Sequence, residues 1–311
     1  MTAHTLIEQE ALRRSPEEQR EYERREVAAH YEHDPEIFSL VLDSQLTYST
    51  GIFVDPHENL EAAQRRKFAH VRGLLRLRPG DYVFDAGCGW GSILLDVAEH
   101  TGARVHGITL SAKQREVALA RARARGIADR VRIDVEHIGD VRLEPGSVDA
   151  IIFSGSIVHM HDRPAIHRWV ARALRPGGRL FISDCYFPVQ QRGSRETAAT
   201  EYILGRTLGY CRLLTLSEEL ELIEASGLDI RLIEDLTSSY VRTVKHWIDN
   251  IRRNRRRLEQ LAPGFAHILQ TYMTVGRHSF FRRTALEYMI LATKGSDETD
   301  LADWSIPGMV G

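Results

Sequence analysis

The spacing of apolar and polar positions changes character near residue 80. Before it, apolar residues such as Leu6, Leu12 and Val27 stand far apart among charges (Glu17, Glu18, Arg20, Glu21, Glu23, Arg24, Arg25). That pattern predicts solvated helices with too little apolar surface for a core of their own. Such an arm docks on something, either its own active site or a neighbouring subunit. Asp34-Pro35 opens a turn or helix, residues 46–53 read as a compact loop or β-like segment, and residues 59–77 carry a helical pattern. Arg78-Pro79-Gly80 stops it.

From residue 81 short apolar runs alternate with helical patterns. Strands are predicted at 82–84, 105–110, 131–135, 149–154 and 180–186. Helices are predicted at 91–100, at 112–125 behind a Ser111/Gln114 capping box, and from Asp162 to about 174 with Pro164 in the first turn. Strict alternation implies a parallel sheet with helices on both faces and a ligand crevice at the strands' C-terminal ends. The rhythm then breaks. Residues 190–210 read as an inserted helical segment, and Thr215 with Glu218 caps a further helix. A strand at 229–236, one long helix at 241–261, a helix after Pro263-Gly264 and a strand at 287–294 complete the pattern. The division expected is a helical arm and cap at 1–80, a ligand-binding α/β domain at 81–295 with a helical insertion at about 187–227, and a flexible tail at 296–311.

The turn after the first strand reads Asp85-Ala86-Gly87-Cys88-Gly89-Trp90-Gly91. Glycines at alternate positions let a strand turn sharply into a helix and let a ligand approach bare backbone at the helix's positive end. The spacing is neither that of dinucleotide folds nor that of the lysine-bearing phosphate loop. With no Lys or Arg in the loop, a ligand with an amino-acid end, a ribose and a base fits better than a pyrophosphate.

Composition narrows the class. Lys and Arg number 41 against 43 Asp and Glu, a net charge of −2, which argues against a general nucleic-acid binder. The three cysteines (Cys88, Cys185, Cys211) show neither a disulfide framework nor zinc spacing, and no metal-ligand spacing is visible. No apolar run reaches 18 residues, and the charged N-terminus lacks a signal-peptide core. A cytoplasmic protein without stable membrane association is expected.

Several spaced motifs together resemble the cyclopropane-fatty-acid-synthase-like methyltransferases. They are His30-Tyr31, Thr47-Tyr48-Ser49, the glycine turn at 85–91, Gly107-Ile108-Thr109-Leu110-Ser111 with Gln114, and Tyr240-Val241-Arg242-Thr243-Val244 with Trp247. The resemblance covers about residues 27–294. It implies a Rossmann-like class I methyltransferase sheet of seven strands, with the helical arm and a helical lid insertion, and S-adenosylmethionine as cofactor. Position by position, it places Tyr48 and Ser49 at the methionine end and Asp85 at the crevice lip. Gly87, Gly89 and Trp90 would line the ligand, with Thr109, Leu110 and Gln114 at the ribose. Glu136 and His137 would flank the adenine, and Ser154 would close the crevice. Many class I methyltransferases carry a carboxylate where Thr109 stands; the threonine agrees with this family.

The departures bear on chemistry. The cyclopropane synthases hold a bicarbonate whose ligand positions correspond here to Thr50, His159, Ser183 and Tyr240, and only the tyrosine is kept. A lipid cyclopropanase is therefore disfavoured. His159 could itself accept a proton, with Tyr202 and Tyr240 as partners, and aromatic residues of the insertion could shelter a carbocation. The reading is a small-molecule methyltransferase of natural-product biosynthesis, C-methylating an alkene of a prenyl or terpenoid group, as in the teleocidin-type branch, with cyclisation a possible sequel. Alternatives are N- or O-methylation, fatty-acid cyclopropanation, and an RNA-binding module on the same fold. The arginine run at 252–257 reads as a solvated face paired with acidic neighbours. A hydrophobic small-molecule substrate and a homo-oligomer, with an arm swapped between subunits as one arrangement, are expected.

Overall fold

The computed structural model describes residues 13–191 and 210–295. Seven strands form one sheet: β1 (Tyr82–Ala86), β2 (Arg104–Thr109), β3 (Val131–Val135), β4 (Val148–Ser154), β5 (Leu174–Tyr186), β6 (Asp229–Asp235) and β7 (Leu286–Thr293). Their order is β3-β2-β1-β4-β5-β7-β6. The first five strands are mutually parallel and joined by crossover segments. The order reverses between β1 and β4, and a crevice opens beyond their C-terminal ends.

Ten α-helices surround the sheet among the described residues: α1 (Pro16–Tyr31), α2 (Pro35–Val41), α3 (Leu60–Leu75), α4 (Ser92–Thr101), α5 (Ala112–Ala124), α6 (Arg163–Ala173), α7 (Leu216–Ala225), α8 (Thr237–Arg253), α9 (Arg255–Leu261) and α10 (Phe265–Phe281). Their starts follow local chemistry. Ser15 and Thr215 make complete capping boxes with Glu18 and Glu218, and Asp162 caps α6 ahead of Pro164. One apolar cluster fills each side of the sheet. A third joins α2, α8, α9 and α10 around Trp90 and Trp247 and forms a cap over the crevice.

Four expectations are corrected. The sheet is not wholly parallel, because β7 runs antiparallel between β5 and β6. Asp235 at the end of β6 lies opposite Tyr288 near the start of β7, so the chain re-enters the sheet at the end it left. An apolar run of eight residues carries no information about its direction. The long helix breaks at Asn254, whose side-chain amide donates to the Leu40 carbonyl at 2.7 Å instead of leaving the helix continuous. Strand β5 starts at Leu174, upstream of the Arg-Pro-Gly-Gly turn, and its register against β4 shifts there. The Ser111/Gln114 capping box is only half made. Ser111 accepts from the Gln114 amide, but the Gln114 side chain turns inward to take a 2.5 Å hydrogen bond from Thr109. Residues 192–209 of the expected insertion, Tyr202 among them, and the tail at 296–311 lie outside the described residues.

Candidate active site

The glycine turn is built as its spacing requires. Gly87 and Gly89 have φ of +93° and +52°, values that L side chains rarely adopt. A Cβ on Gly87 would also fall 2.6 Å from Ser156 Cβ, whereas one on Gly89 would meet Gln114 Nε2 at 3.8 Å on the crevice wall. The Gly87 and Cys88 amides both donate to the Ile108 carbonyl, which ties the loop to β2. Asp85, the last-but-one residue of β1, is 3% exposed. Burial pushes its carboxyl up to about 7, and Oδ1 meets no hydrogen-bond partner among the described residues. A buried carboxylate oxygen without a partner is costly, so this one calls for a cationic or donating ligand group.

Three cavities with shared walls meet above the strand ends. One holds Tyr48, Ser49, Asp85, Gly87, Gly89, Trp90 and Ser154. The next holds Thr109, Leu110, Gln114, Glu136 and His137, with Gly87 and Gly89 again on its wall. All twelve residues expected at the cofactor thus face one crevice. Ser49 is fixed from three sides: Lys67 Nζ donates to its hydroxyl at 2.9 Å, Ser154 at 3.2 Å, and Gln64 to its carbonyl at 2.9 Å. The crevice fits S-adenosylmethionine by its donor set. Asp85 and Ser49 would meet the amino-acid end, and Thr109 and Gln114 the ribose hydroxyls. Ile108, Leu110 and Ile138 offer an apolar slot for the base.

The arm covers the base end of this crevice. Glu23 of α1, 2% exposed, accepts from His137 Nε2 at 2.8 Å and lies 3.5 Å from His161 Nδ1. Burial alone would raise its carboxyl, but the bonds from His137, His161 and Gln19 bring it down to about 2. Arg20 and Arg24 pair with Asp140. Both His137 ring nitrogens are engaged, Nδ1 accepting from Gly139 N at 3.0 Å. Its ring therefore bounds the crevice through its edge and face. His161, half-exposed, belongs to this latch.

The third cavity is a chamber of about 940 Å³ including its mouth. Aromatic rings dominate it: Tyr31, Tyr48, Tyr240, Trp247, Tyr272 and Phe280. Tyr31 and Gly155 line all three cavities and so mark the passage between crevice and chamber. His159 stands on the walls of both the chamber and the base pocket. Its Nδ1 donates to the Tyr210 carbonyl at 2.8 Å, which leaves Nε2 as the accepting nitrogen, and burial holds its pKa below the ordinary value. Tyr240 lines the chamber with its phenol pushed well up by burial, so it stays protonated at neutral pH. Thr50 is also on the wall, but Ser183 is not. It is buried in β5, and its hydroxyl donates to Glu287 at 3.0 Å.

Four functional candidates escaped the sequence reading. Asp184 and Glu287 place two carboxyls in the chamber wall, raised by burial to about 6 and about 8. Cys185 Sγ donates to Glu287 at 3.2 Å. Lys67 lies behind Ser49, fully buried, its amine brought down by burial to about 7. A signal existed for two of them. Lys67 interrupts the buried stripe of α3 (Leu60, Ala63, Phe68, Val71, Leu75), and Glu287 stands in an otherwise apolar β7. Polar residues on apolar faces are the informative exceptions.

A seven-stranded sheet of this order with a glycine-turn crevice of this composition defines a class I S-adenosylmethionine-dependent methyltransferase. Residues 18–289 match the mycolic acid cyclopropane synthetase family, and the chain belongs to it. It is 28% identical over 286 residues to a probable fatty acid methyltransferase of Pseudomonas putida, covering 90% of this chain and 72% of that one. It is 31% identical over 250 residues to 27-O-demethylrifamycin SV methyltransferase of Amycolatopsis mediterranei, covering 79% and 85%. Among solved structures, the cyclopropane synthase MmaA2 from Mycobacterium tuberculosis superposes with a TM-score of 0.81 at 20% identity, covering 87% and 98%. Geranyl diphosphate C-methyltransferase from Streptomyces coelicolor superposes at 0.66 and 21%, covering 88% and 97%. Among the described residues no helix is long and apolar enough to cross a membrane, and no group of three metal-ligating side chains occurs.

Proposed function

We propose that this enzyme methylates an alkene carbon of a prenyl or terpenoid small molecule, leaving a carbocation that then loses a proton. The observation that carries this reading is the aromatic chamber joined to the cofactor crevice at Tyr31 and Gly155. Ring faces attract a developing positive charge, and an apolar wall excludes the water that would quench it. Among the described residues no Lys or Arg lines the chamber, which supports an uncharged prenyl compound as the acceptor.

In the cofactor crevice, Tyr48, Ser49, Asp85 and Ser154 hold the methionine end of S-adenosylmethionine, and Gly87, Gly89 and Trp90 bound it. Thr109, Leu110 and Gln114 take the ribose, and Glu136 and His137 bound the base. The cofactor supplies the sulfonium methyl. The protein's own work is alignment across the passage and a route for the proton. His159 Nε2 takes that proton, while the Tyr240 hydroxyl, protonated at neutral pH, orients the acceptor. The acid side chains Asp184 and Glu287 add negative potential when ionised.

Those same carboxyls favour a second reading, O-methylation, because a buried carboxylate can take the proton of an acceptor hydroxyl. The rifamycin relative is named for an O-demethyl substrate. One experiment separates the two. Enzyme, methyl-labelled S-adenosylmethionine and a prenyl alcohol such as farnesol are incubated, and the product is examined by NMR. A labelled methyl on an olefinic or former olefinic carbon supports C-methylation. A labelled methoxy signal replaces it with O-methylation.

A further inference from the structure

The chamber wall contributed by α10 has a gap at its centre. Tyr272, Met273, Gly276, Ser279 and Phe280 all line the cavity, and their spacing of three and four is that of one helical face. Gly276 sits in the middle of that face with large side chains one turn away on either side. Glycine is the poorest helix former after proline, so a glycine in a helix interior needs a structural return. None is found in the backbone: Gly276 does not have a positive φ. None is found in packing either, since a Cβ added there would meet no atom of the described residues within 4 Å. The contrast with Gly91 is direct, because a Cβ there would come within 3.0 Å of Ala118. Gly73, the glycine inside α3, has open space too, but it lies on the solvent face, whereas Gly276 is half-buried on a cavity wall.

Tyr240, Val244 and Trp247 of α8, the helix packed against α10, line the same chamber. Beyond the gap the wall closes again, where the Tyr240 and Phe280 rings meet edge to face at 4.6 Å. The opening is thus a notch of limited extent between two helices, bounded by Tyr272 and Met273 on one side and Phe280 on the other.

We infer that Gly276 is the residue that sets acceptor girth: its missing side chain admits a branched or ring-bearing apolar body into the notch between α8 and α10. This rests on the chamber being the acceptor site, as in the reading above, but not on which atom is methylated. A chamber walled throughout by large side chains would select a thin linear chain. The notch widens that selection to compact, bulky acceptors of the terpenoid type.

The test uses the full chain loaded with S-adenosylhomocysteine and two probe alcohols of equal carbon number, linear 1-decanol and the cage compound 1-adamantanol. Affinities are read by calorimetry for wild type, Gly276→Ala and Gly276→Leu. In Gly276→Leu the affinity for 1-adamantanol is expected to fall tenfold or more, while those for 1-decanol and S-adenosylhomocysteine change less than threefold. Gly276→Ala, which carries a better helix former, is expected to keep its thermal midpoint and show an intermediate loss for 1-adamantanol alone. Equal losses for both alcohols, no loss for either, or a wild type that binds neither would overturn the inference. The readout involves no methyl transfer. An enzyme that proved to make methoxy products would overturn the C-methylation reading and still show this selectivity. Alkene methylation without the selectivity would overturn the notch alone.

Discussion

His159 joins the two halves of the site, touching both the base pocket and the chamber, with a ring whose tautomer is set by the Tyr210 carbonyl. If Nε2 takes the proton in catalysis, His159→Ala lowers turnover by roughly 10²–10⁴-fold or changes the alkene product mixture, while S-adenosylhomocysteine affinity holds. Unchanged products at the wild-type rate would reduce it to a wall residue. At Gly89 the φ of +52° and its place on the crevice wall beside Gln114 predict that Gly89→Val folds but no longer binds the cofactor. Calorimetry with S-adenosylhomocysteine on a mutant of normal circular dichroism checks this. Glu287 makes a stability prediction. Burial raises its carboxyl to about 8 from 4.5, so the folded state holds a proton that the unfolded chain releases. Its effect is therefore to erode stability as pH rises from about 4.5 to 8. Glu287→Gln removes that slope. The variant is expected to gain on the wild type in urea at pH 8.5, on the order of a few kcal/mol, and to match it near pH 4.5.

Among the elements, α1 is the one whose placement matters most. It adds little apolar surface, and its hold on the crevice is polar: Glu23 against His137 and His161, and Arg20 and Arg24 against Asp140. The Glu23 latch involves a nearly inaccessible carboxylate, and hydrogen bonds to charged groups are worth about 1.5–3 kcal/mol. Glu23→Gln should then weaken S-adenosylhomocysteine binding by roughly tenfold or more and raise hydrogen exchange in residues 16–31. A variant with wild-type affinity would show that the arm covers the crevice without latching it. The sign with pH follows from the lowered carboxyl. The latch contributes fully above about 4.5 and is lost as pH falls toward 2. The arginine run of α8 and α9 behaves as a solvated face, with Arg257 bidentate on Glu36 and Arg252 near Asp249.

For the whole molecule, the proposed cofactor crevice lies where strands from both halves of the sheet and the helical cap converge. Ligation at such a junction stabilises the folded chain as a unit. S-adenosylhomocysteine at 100 times its dissociation constant adds about 2.7 kcal/mol, which should appear as a thermal shift of several degrees for a chain of this size. RNA at the same concentration is expected to give none. A shift with RNA and none with S-adenosylhomocysteine would overturn the assignment of the crevice.

What the chain determined locally could be read from it. Strand and helix periods, the caps at Asp162 and Thr215 and the glycine turn depend on residues within one or two turns of each other, and they stand where their patterns place them. That Asp85, the glycine turn, Thr109, Glu136 and Ser154 share one crevice was legible for the same reason, because they lie at strand ends that a parallel α/β fold must gather; Tyr48 and Ser49 reach it from a loop between two helices. The direction of β7 was not legible, since it depends on where α10 returns the chain. Nor was the inward turn of Gln114, which depends on Thr109, nor the break at Asn254, which depends on the Leu40 carbonyl. The chamber belongs wholly to the tertiary structure. Asp184 and Glu287 lie 103 positions apart, and the antiparallel pairing of β5 with β7 brings their strands together. The raised pKa values of these carboxyls come from burial, a property that exists only after helices and sheet have closed around them.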